Sequence, residues 1–369
     1  MHLRHLWLKD YRSYESVDLE LTSGICAVLG PNGVGKSNLL EAVSYLAMLE
    51  SFRGAPTDAM IRTGAAQAVV RGEVLDAQRE QLIEAELLRT GRNRVLVNKQ
   101  RVIRSTDLNT ALRVSVFSPD DLEMVKGGPA GRRNYLDQLL VTLDPKHHGI
   151  RSEFDKSLRQ RNALLKQSRG RLDEAAEFTL EVWDTKLVES GEKLADLRSE
   201  LVEQLAPLVR QAYTDVASER AATELRYEAP WRPGGLADAL HAVRSDELRR
   251  GLTLVGPHRD DLFLELNGMP ARTHASQGEQ RSIALALRLA AHRLVLEVTK
   301  TAPVLLLDDV FSELDPYRSA ALLRSLPEGQ TLLSTASGLP PEVVAAQEIH
   351  IASSTRRLPE MAPGHEVSG

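Results

Sequence analysis

"GPNGVGKS", Gly30–Ser37, decides how this chain is read. It fits G-x-x-x-x-G-K-[ST], in which glycines let backbone N–H groups turn inward around phosphates. Gly30, Gly33 and Gly35 supply that freedom, Lys36 is placed to reach the β/γ oxygens of ATP, and the Ser37 hydroxyl is placed to ligate Mg²⁺. Asn32 within the loop and Asn38 beyond it complete the ATP-binding set, Asn32 as a contact to the γ-phosphate or a water. Before the loop, the apolar run "ICAVLG" suits a buried strand. After it, "SNLLEAVSYLAML" suits a helix, with Leu39, Leu40, Val43, Leu46 and Ala47 on one face. Strand, glycine-rich loop and helix are the context this motif requires, and the helix adds its positive dipole end.

A second apolar strand, "VLLLDDV", supplies acid. Asp308, directly after three leucines, is placed to hold Mg²⁺, and Asp309 to orient an attacking water; Lys36 and Asp309 are the catalytic candidates. Asp315 of "SELD", followed by Pro316, belongs to the next turn and is expected near the same phosphates. The two motifs together describe an ATPase. "SQGEQRS" opens a long helix, with Ser276 as N-cap and Glu279 completing a capping box. The same turn, Ser276, Gln277, Gly278 and Glu279, is also an anion site by its hydroxyl and free amides, and both readings stand.

The rest of the chain sets limits. Its 369 residues, 42% hydrophobic, suffice for more than one lobe. A net charge of -5 makes any nucleic-acid surface a local patch. The one cysteine, Cys26, lies in the "ICAVLG" run and is read as a small buried hydrophobe. The first residues carry no apolar leader core and no apolar run reaches membrane-spanning length, so a cytoplasmic protein with no membrane contact is expected. No structural-metal, nuclease or acyl-transfer constellation is read, and His258 in "GPHRDD" is taken as structural.

Leu3, Leu6 and Leu8 suggest a first strand. From Ala68 to Arg104 short alternating runs return, with a hairpin about Asn98 and Lys99. Residues 132–219 read as helical: Leu180, Leu187, Leu194, Leu201 and Leu208 recur every seven residues, with Trp183, Leu197 and Leu205 in the other seam, giving at least one antiparallel pair. "YEAPWRPGGL" reads as a connection, and "LTLVGPHRDDLFLELNGM" as two strands with an Asn267-Gly268 turn after the second. The expected class is α/β, a head of mixed sheets and helices from residues 1–115 plus 250–369, with a mainly helical lobe, 116–249, inserted.

Two runs are basic. Arg89, Arg92, Arg94, Lys99, Arg101 and Arg104 occur with no acid among them, and residues 151–171 include Arg159 and Arg161. Both are candidates for duplex phosphates, against the alternative of a solvated face in an arginine-rich chain. Aromatics, 4% of the chain, are too sparse here for a base-stacking platform.

The order of P-loop, polar Ser-x-Gly-Glu helix start, hhhhDD and "SELD" resembles the ABC-type ATPases of chromosome maintenance, the SMC and Rad50 heads. Within them the chain resembles the RecF family through "GPNGVGKSNLLEA", "VFSPDDLEMVKGGPAGRRNYLD", "LRQRNALLK", "GPHRDDL", "SQGEQRS" and "LLLDDVFSELD". The resemblance spans nearly the whole chain. It implies that Ser276–Glu279 meets the γ-phosphate held by a partner copy, so that ATP closes a homodimer on duplex or gapped DNA. It further implies a weak, DNA-dependent ATPase that acts with RecR and RecO, and indirectly RecA, in repair at single-strand gaps. Arg12 of "DYRSY" matches an arginine that reaches the phosphates in such heads. The chain departs from the wider ABC pattern at three places. Asp120 and Asp121 stand where a Gln is usual, Ser334 and Thr335 where a His is usual, and Asp309 where transporter ATPases have the longer Glu, so slow hydrolysis is expected. The alternatives are a nucleotide-gated protein adaptor with incidental DNA affinity and a transporter ATPase subunit, the latter disfavoured by the helical insertion and by Arg132 and Arg133.

Overall fold

Alternation and apolar runs sort the strands into open and buried sheets. The computed structural model describes residues 1–76, 79–102, 108–168, 170–217, 221–336, 338–339, 343–352 and 357–358. In chain order the strands are β1 (His2–Tyr11), β2 (Tyr14–Glu20), β3 (Ile25–Leu29), β4 (Gln67–Asp76), β5 (Arg79–Leu88), β6 (Arg94–Val97), β7 (Gln100–Arg101), β8 (Val114–Phe117), β9 (Thr223–Glu228), β10 (Asp261–Leu266), β11 (Met269–Pro270), β12 (Val304–Asp308), β13 (Thr331–Thr335), β14 (Gln347–His350) and β15 (Arg357–Leu358). The helices are α1 (Lys36–Met48), α2 (Thr57–Met60), α3 (Leu108–Ala111), α4 (Glu123–Lys126), α5 (Pro129–Leu143), α6 (His147–Ser168), α7 (Glu174–Ala217), α8 (Leu236–Arg250), α9 (Ala271–His274), α10 (Gln277–Thr299) and α11 (Pro316–Ser325).

The chain forms two compact units. The first comprises Met1–Asp121, Thr214–Glu219 and Leu285–Gly369. It holds a seven-stranded sheet ordered β15-β2-β1-β4-β5-β6-β7, antiparallel except where β15 joins β2, and a five-stranded parallel sheet ordered β14-β3-β13-β12-β8. The parallel strands β12 and β13 are buried at every position, as a sheet covered on both faces requires. α1 touches strands of both sheets and is buried continuously from Leu39 to Ala47, a wider burial than a one-faced helix would show. The parallel order brings the ends of β3, β12 and β13 side by side, where α/β sheets place their ligands.

The second unit comprises Leu122–Tyr213 and Arg220–Ala284. α6 and α7 form the antiparallel pair: Arg161 bonds Asp184, while Phe154, seven residues earlier, packs against Gly191, seven residues later. Along α7, Leu180, Leu187, Leu194, Leu201 and Leu205 are buried. Trp183, Leu197 and Leu208 are half-buried.

Three expectations are corrected. Residues 250–284 fall in the helical unit rather than the head, because β10 pairs with β9 and β11 there. β9 and α8 replace part of the expected connection around "YEAPWRPGGL". "LTLVG" is a turn rather than a strand, its backbone held by side chains: Thr253 N by Asn162 and Leu254 N by Glu247.

Candidate nucleotide site

The loop after β3 closes onto the start of α1. Gly35 precedes the helix at φ 115, and a Cβ there would lie 2.7 Å from Ser13 Oγ. Gly30 is more constrained, since its Cβ would lie 2.2 Å from the Ile351 carbonyl oxygen. Neither position takes another residue without moving backbone. No side chain caps α1; Asn38 N and Leu39 N donate to the Gly35 carbonyl (3.0 and 3.2 Å), which leaves the Lys36 and Ser37 amides for an anion. Lys36 Nζ is folded into the loop and donates to the carbonyls of Gly30 and Pro31 (2.8 and 2.9 Å). Tyr14 Oη donates to the Gly35 carbonyl (3.0 Å), and Asn38 Nδ2 to Ser13 Oγ (3.0 Å).

This loop walls a cavity of about 290 Å³ lined by Asn32, Gly33, Gly35, Lys36, Ser37, Asn38, Arg53 and Asp309. Two strand ends deliver the acids. Asp308 closes β12 nearly buried, and its Oδ1 accepts from Ser334 Oγ at the end of β13 (2.7 Å). Asp309 follows at φ 50, a left-handed conformation costing on the order of 1 kcal/mol for a non-glycine residue. Its amide donates to Ser334 Oγ (3.0 Å), while its Oδ1 is buried with no partner. An orphaned carboxylate oxygen on the wall of a cavity that also holds Lys36 and Ser37 fits a ligand that brings cations or a water. The donor set therefore suits a magnesium nucleotide, with Ser37 and Asp308 as the magnesium candidates. Ser334 stands where the wider ABC pattern has a His, and it bonds both aspartates.

Arg12 is placed otherwise than the resemblance implied. Its guanidinium bonds both Glu41 oxygens (2.7 Å each) and the Ala59 carbonyl, and it does not line the cavity. The Glu41 bonds push its pKa above the ordinary arginine value against the cost of burial. Glu41 also accepts from Ser51 Oγ (2.5 Å), which in turn accepts from Arg53 N (3.1 Å). Arg12 thus steadies the segment that carries Arg53 to the cavity. Sequence reasoning missed Arg53, because no local pattern marks it and only the Glu41–Ser51 bonds bring it there. Asp121 accepts from Arg288 Nη2 (2.6 Å), an ion pair where the wider ABC pattern has a Gln. Asp315 caps α11, accepting from Arg318 N (2.9 Å) and Nη1 (2.7 Å), which hold its carboxyl below the usual range.

Ser276 and Glu279 lie in the other unit and form a reciprocal capping box. Ser276 Oγ accepts from Glu279 N (3.3 Å), and Glu279 Oε2 accepts from Ser276 N (2.7 Å). Gln277 and Gly278 lie between them in the first turn of α10. Of the basic candidates, Arg89, Arg92, Arg94, Lys99 and Arg101 are exposed around β6 and the edge strand β7, with Asn98 and Lys99 both at positive φ in the hairpin turn. Arg104 lies outside the described residues. Arg159 is exposed. Arg161 is a correction: it is 0% exposed and bonds Asp184, Thr253 and Glu247, so it cannot meet DNA phosphate. The signal lay in the sequence, since Arg161 shares a helical stripe with Phe154, Ser157 and Leu165. Arg132 is likewise internal, bonding both oxygens of Asp261 (2.7 and 2.8 Å), and Arg133 donates to the Asp260 carbonyl (2.8 Å). Among the described residues no helix is long and apolar enough to cross a membrane, and no cluster of three or more His, Cys, Asp or Glu side chains is set to hold a metal.

A family model described as RecF/RecN/SMC N terminal domain matches residues 2–334. The DNA replication and repair protein RecF of Acidothermus cellulolyticus is 41% identical over 371 residues, covering 95% of this chain and 100% of the relative. The protein of that name from Frankia alni is 42% identical over 379 residues, covering 96% and 100%. A solved structure described as the recombination mediator protein RecF with ATP in the RecFOR pathway superimposes at TM-score 0.86, with 30% identity over 95% of this chain and 97% of that one. An SMC head bound to the C-winged helix domain of ScpA shares the fold at TM-score 0.55, 18% identical over 91% and 90%. The chain therefore belongs to the RecF family and has the ABC-type ATPase fold of the SMC heads.

Proposed function

We propose that this protein is an ATP-gated DNA-binding mediator of recombinational repair. The observation that carries the reading is the convergence, in one cavity, of an uncapped helix start, Lys36, Ser37, Arg53 and the unpartnered Asp309 oxygen. Lys36 turns from the Gly30 and Pro31 carbonyls to the β/γ-phosphates, the first amides of α1 hold the phosphate oxygens, and Arg53 adds a second cation. Ser37 and Asp308 would hold Mg²⁺, which would supply positive charge to the phosphates. Asp309 orients the attacking water; its short side chain, and Ser334 in place of a histidine base, favour slow hydrolysis.

Ser276 and the first amides of α10 meet the phosphates held by a second copy, so that nucleotide joins two chains head to head. The exposed hairpin arginines then contact duplex phosphate, and hydrolysis releases the pair. Relatives described as mediators of the RecFOR pathway support placing this cycle at gapped DNA, with RecR and RecO as partners and RecA loading as the outcome. The test is gapped-duplex binding with ATP, with ADP and without nucleotide, across a salt series. ATP-dependent binding is expected, and Arg92→Ala with Arg94→Ala should lower the salt slope by about 1–2. DNA binding that ignores nucleotide, or partner binding gated by ATP with no salt-sensitive DNA binding, would favour the adaptor instead.

A further inference from the structure

The bend that leads into α10 is held by a side chain the nucleotide reading does not use. Gln280 is buried, and its Nε2 donates to the carbonyls of Ala271 (3.2 Å) and Arg272 (3.1 Å). Both belong to α9, a single turn in which the Ala271 carbonyl also accepts from Ala275 N (3.3 Å). Gln280 N also donates to the Ser276 carbonyl (2.9 Å), closing the first turn of α10. One residue thus grips both sides of the Ala275–Ser276 bend and fixes the angle at which α10 leaves α9. The two capping-box bonds themselves join Ser276 and Glu279 within one turn.

α9 is itself anchored. It follows β10 and β11 directly, and Arg132 holds the head of β10 through Asp261 while donating to the carbonyls of Met124 and Gly127 (3.2 and 2.9 Å). One residue earlier, buried Asp260 accepts from Tyr227 Oη (2.5 Å) and Trp231 Nε1 (2.8 Å). Arg198 of α7 holds the Pro257 carbonyl (2.8 Å), and Arg161 of α6 holds Thr253 (2.8 Å). The frame that ends at Gln280 is therefore polar, specific in direction and tied to three helices.

We propose that Gln280 is the positioning residue of the Ser276 turn, setting the direction in which the Ser276 hydroxyl and the first amides of α10 face a phosphate held by a second chain. This rests on the reading of that turn as acting across the dimer. Because Gly30–Ser37 lies in the other compact unit, capture of ATP by a single chain does not depend on Gln280.

The experiment uses the full chain and reads ATP affinity by equilibrium binding, ATP-driven dimerisation by sedimentation, and thermal melting. Gln280→Met keeps length and removes the donors; Gln280→Lys returns donors on a similar stem. Gln280→Met should bind ATP within about twofold of wild type and dimerise at least about tenfold more weakly, with Gln280→Lys recovering most of the loss. Should Gln280→Met fail to fold, Gln280→Ser, which admits water to the two carbonyls, takes its place with the same expectation. The proposal is overturned if the donor-free variant dimerises like wild type, if Gln280→Lys is equally weak, or if ATP affinity falls with dimerisation. Ser276→Arg separates the two ideas. If it dimerises normally, the trans reading itself fails; if it stays monomeric while Gln280→Met pairs normally, only the role of Gln280 fails.

Discussion

Two helix starts in this chain are built in opposite ways. α1 begins at a left-handed glycine with no side-chain cap, and its amides face a cavity shared with a lysine, an arginine and an orphaned carboxylate oxygen. α10 begins with a serine and a glutamate that satisfy each other's amides, a box worth about 1 kcal/mol to the helix. The first start is incomplete without an anion; the second is complete by itself and keeps its direction through Gln280. A self-capped turn held by a rigid frame is suited to meet a phosphate already bound elsewhere, whereas an uncapped one is suited to bind it first.

The largest effect expected from breaking this contrast lies in the polar frame of the helical unit, in which α10 begins. Arg161→Ala leaves buried Glu247 without its cation and Asp184 with Arg244 alone, and should cost about 3–5 kcal/mol in a urea melt of the full chain. Arg159→Ala, on the exposed side of the same helix, should change the melt by less than about 0.5 kcal/mol. Equal effects would mean that Arg161 does not carry the frame. Lys36→Met attacks the other helix start, and should weaken ATP binding on the order of 100-fold, close to 3 kcal/mol, with little change in the melt. Retained affinity would remove Lys36 from the phosphate site.

A smaller effect sharpens the contrast by pH. Burial, with Arg259, Arg133 and Arg161 nearby, pushes His258 down to about 4, so the folded chain keeps it neutral. The unfolded chain takes up its proton near pH 6.5, hence stability is full above that value and is lost as pH falls toward 4. Between pH 7 and pH 5 the loss from this residue is about 2 kcal/mol. His258→Asn should reduce the slope there, as followed by urea melts at a pH series, with His292, also pushed down to about 4 by burial, supplying a remaining share; an unchanged slope would show that His258 does not titrate there.

The nucleotide site was legible because phosphate chemistry dictates local spacing. Gly30–Ser37, the acids after "VLLL" and the Ser276–Glu279 box each fit within a few residues, and the Asn98–Lys99 turn follows from backbone preference alone. What escaped depends on distant pairing. Arg53 reaches the cavity through Ser51 and Glu41, and Arg12 is claimed by Glu41, neither of which spacing announces. The β9 strand alternates Thr223, Leu225 and Tyr227 with charged residues, but its partner β10 lies beyond a proline- and glycine-rich stretch and a helix. That long pairing also moved the unit boundary, because "GPHRDD" is bonded by Arg132 and Arg133 of α5 and Arg198 of α7, all in the helical unit.

The central claim is that the α10 turn acts on nucleotide bound by another copy. The measurement that tests it most directly is the sedimentation of wild type and Ser276→Arg with and without ATP, alongside ATP affinity for each. The account predicts that wild type dimerises with ATP, and that Ser276→Arg binds ATP as tightly yet remains monomeric. A Ser276→Arg chain that dimerises with ATP like wild type would contradict it and leave Ser276 as a helix cap alone.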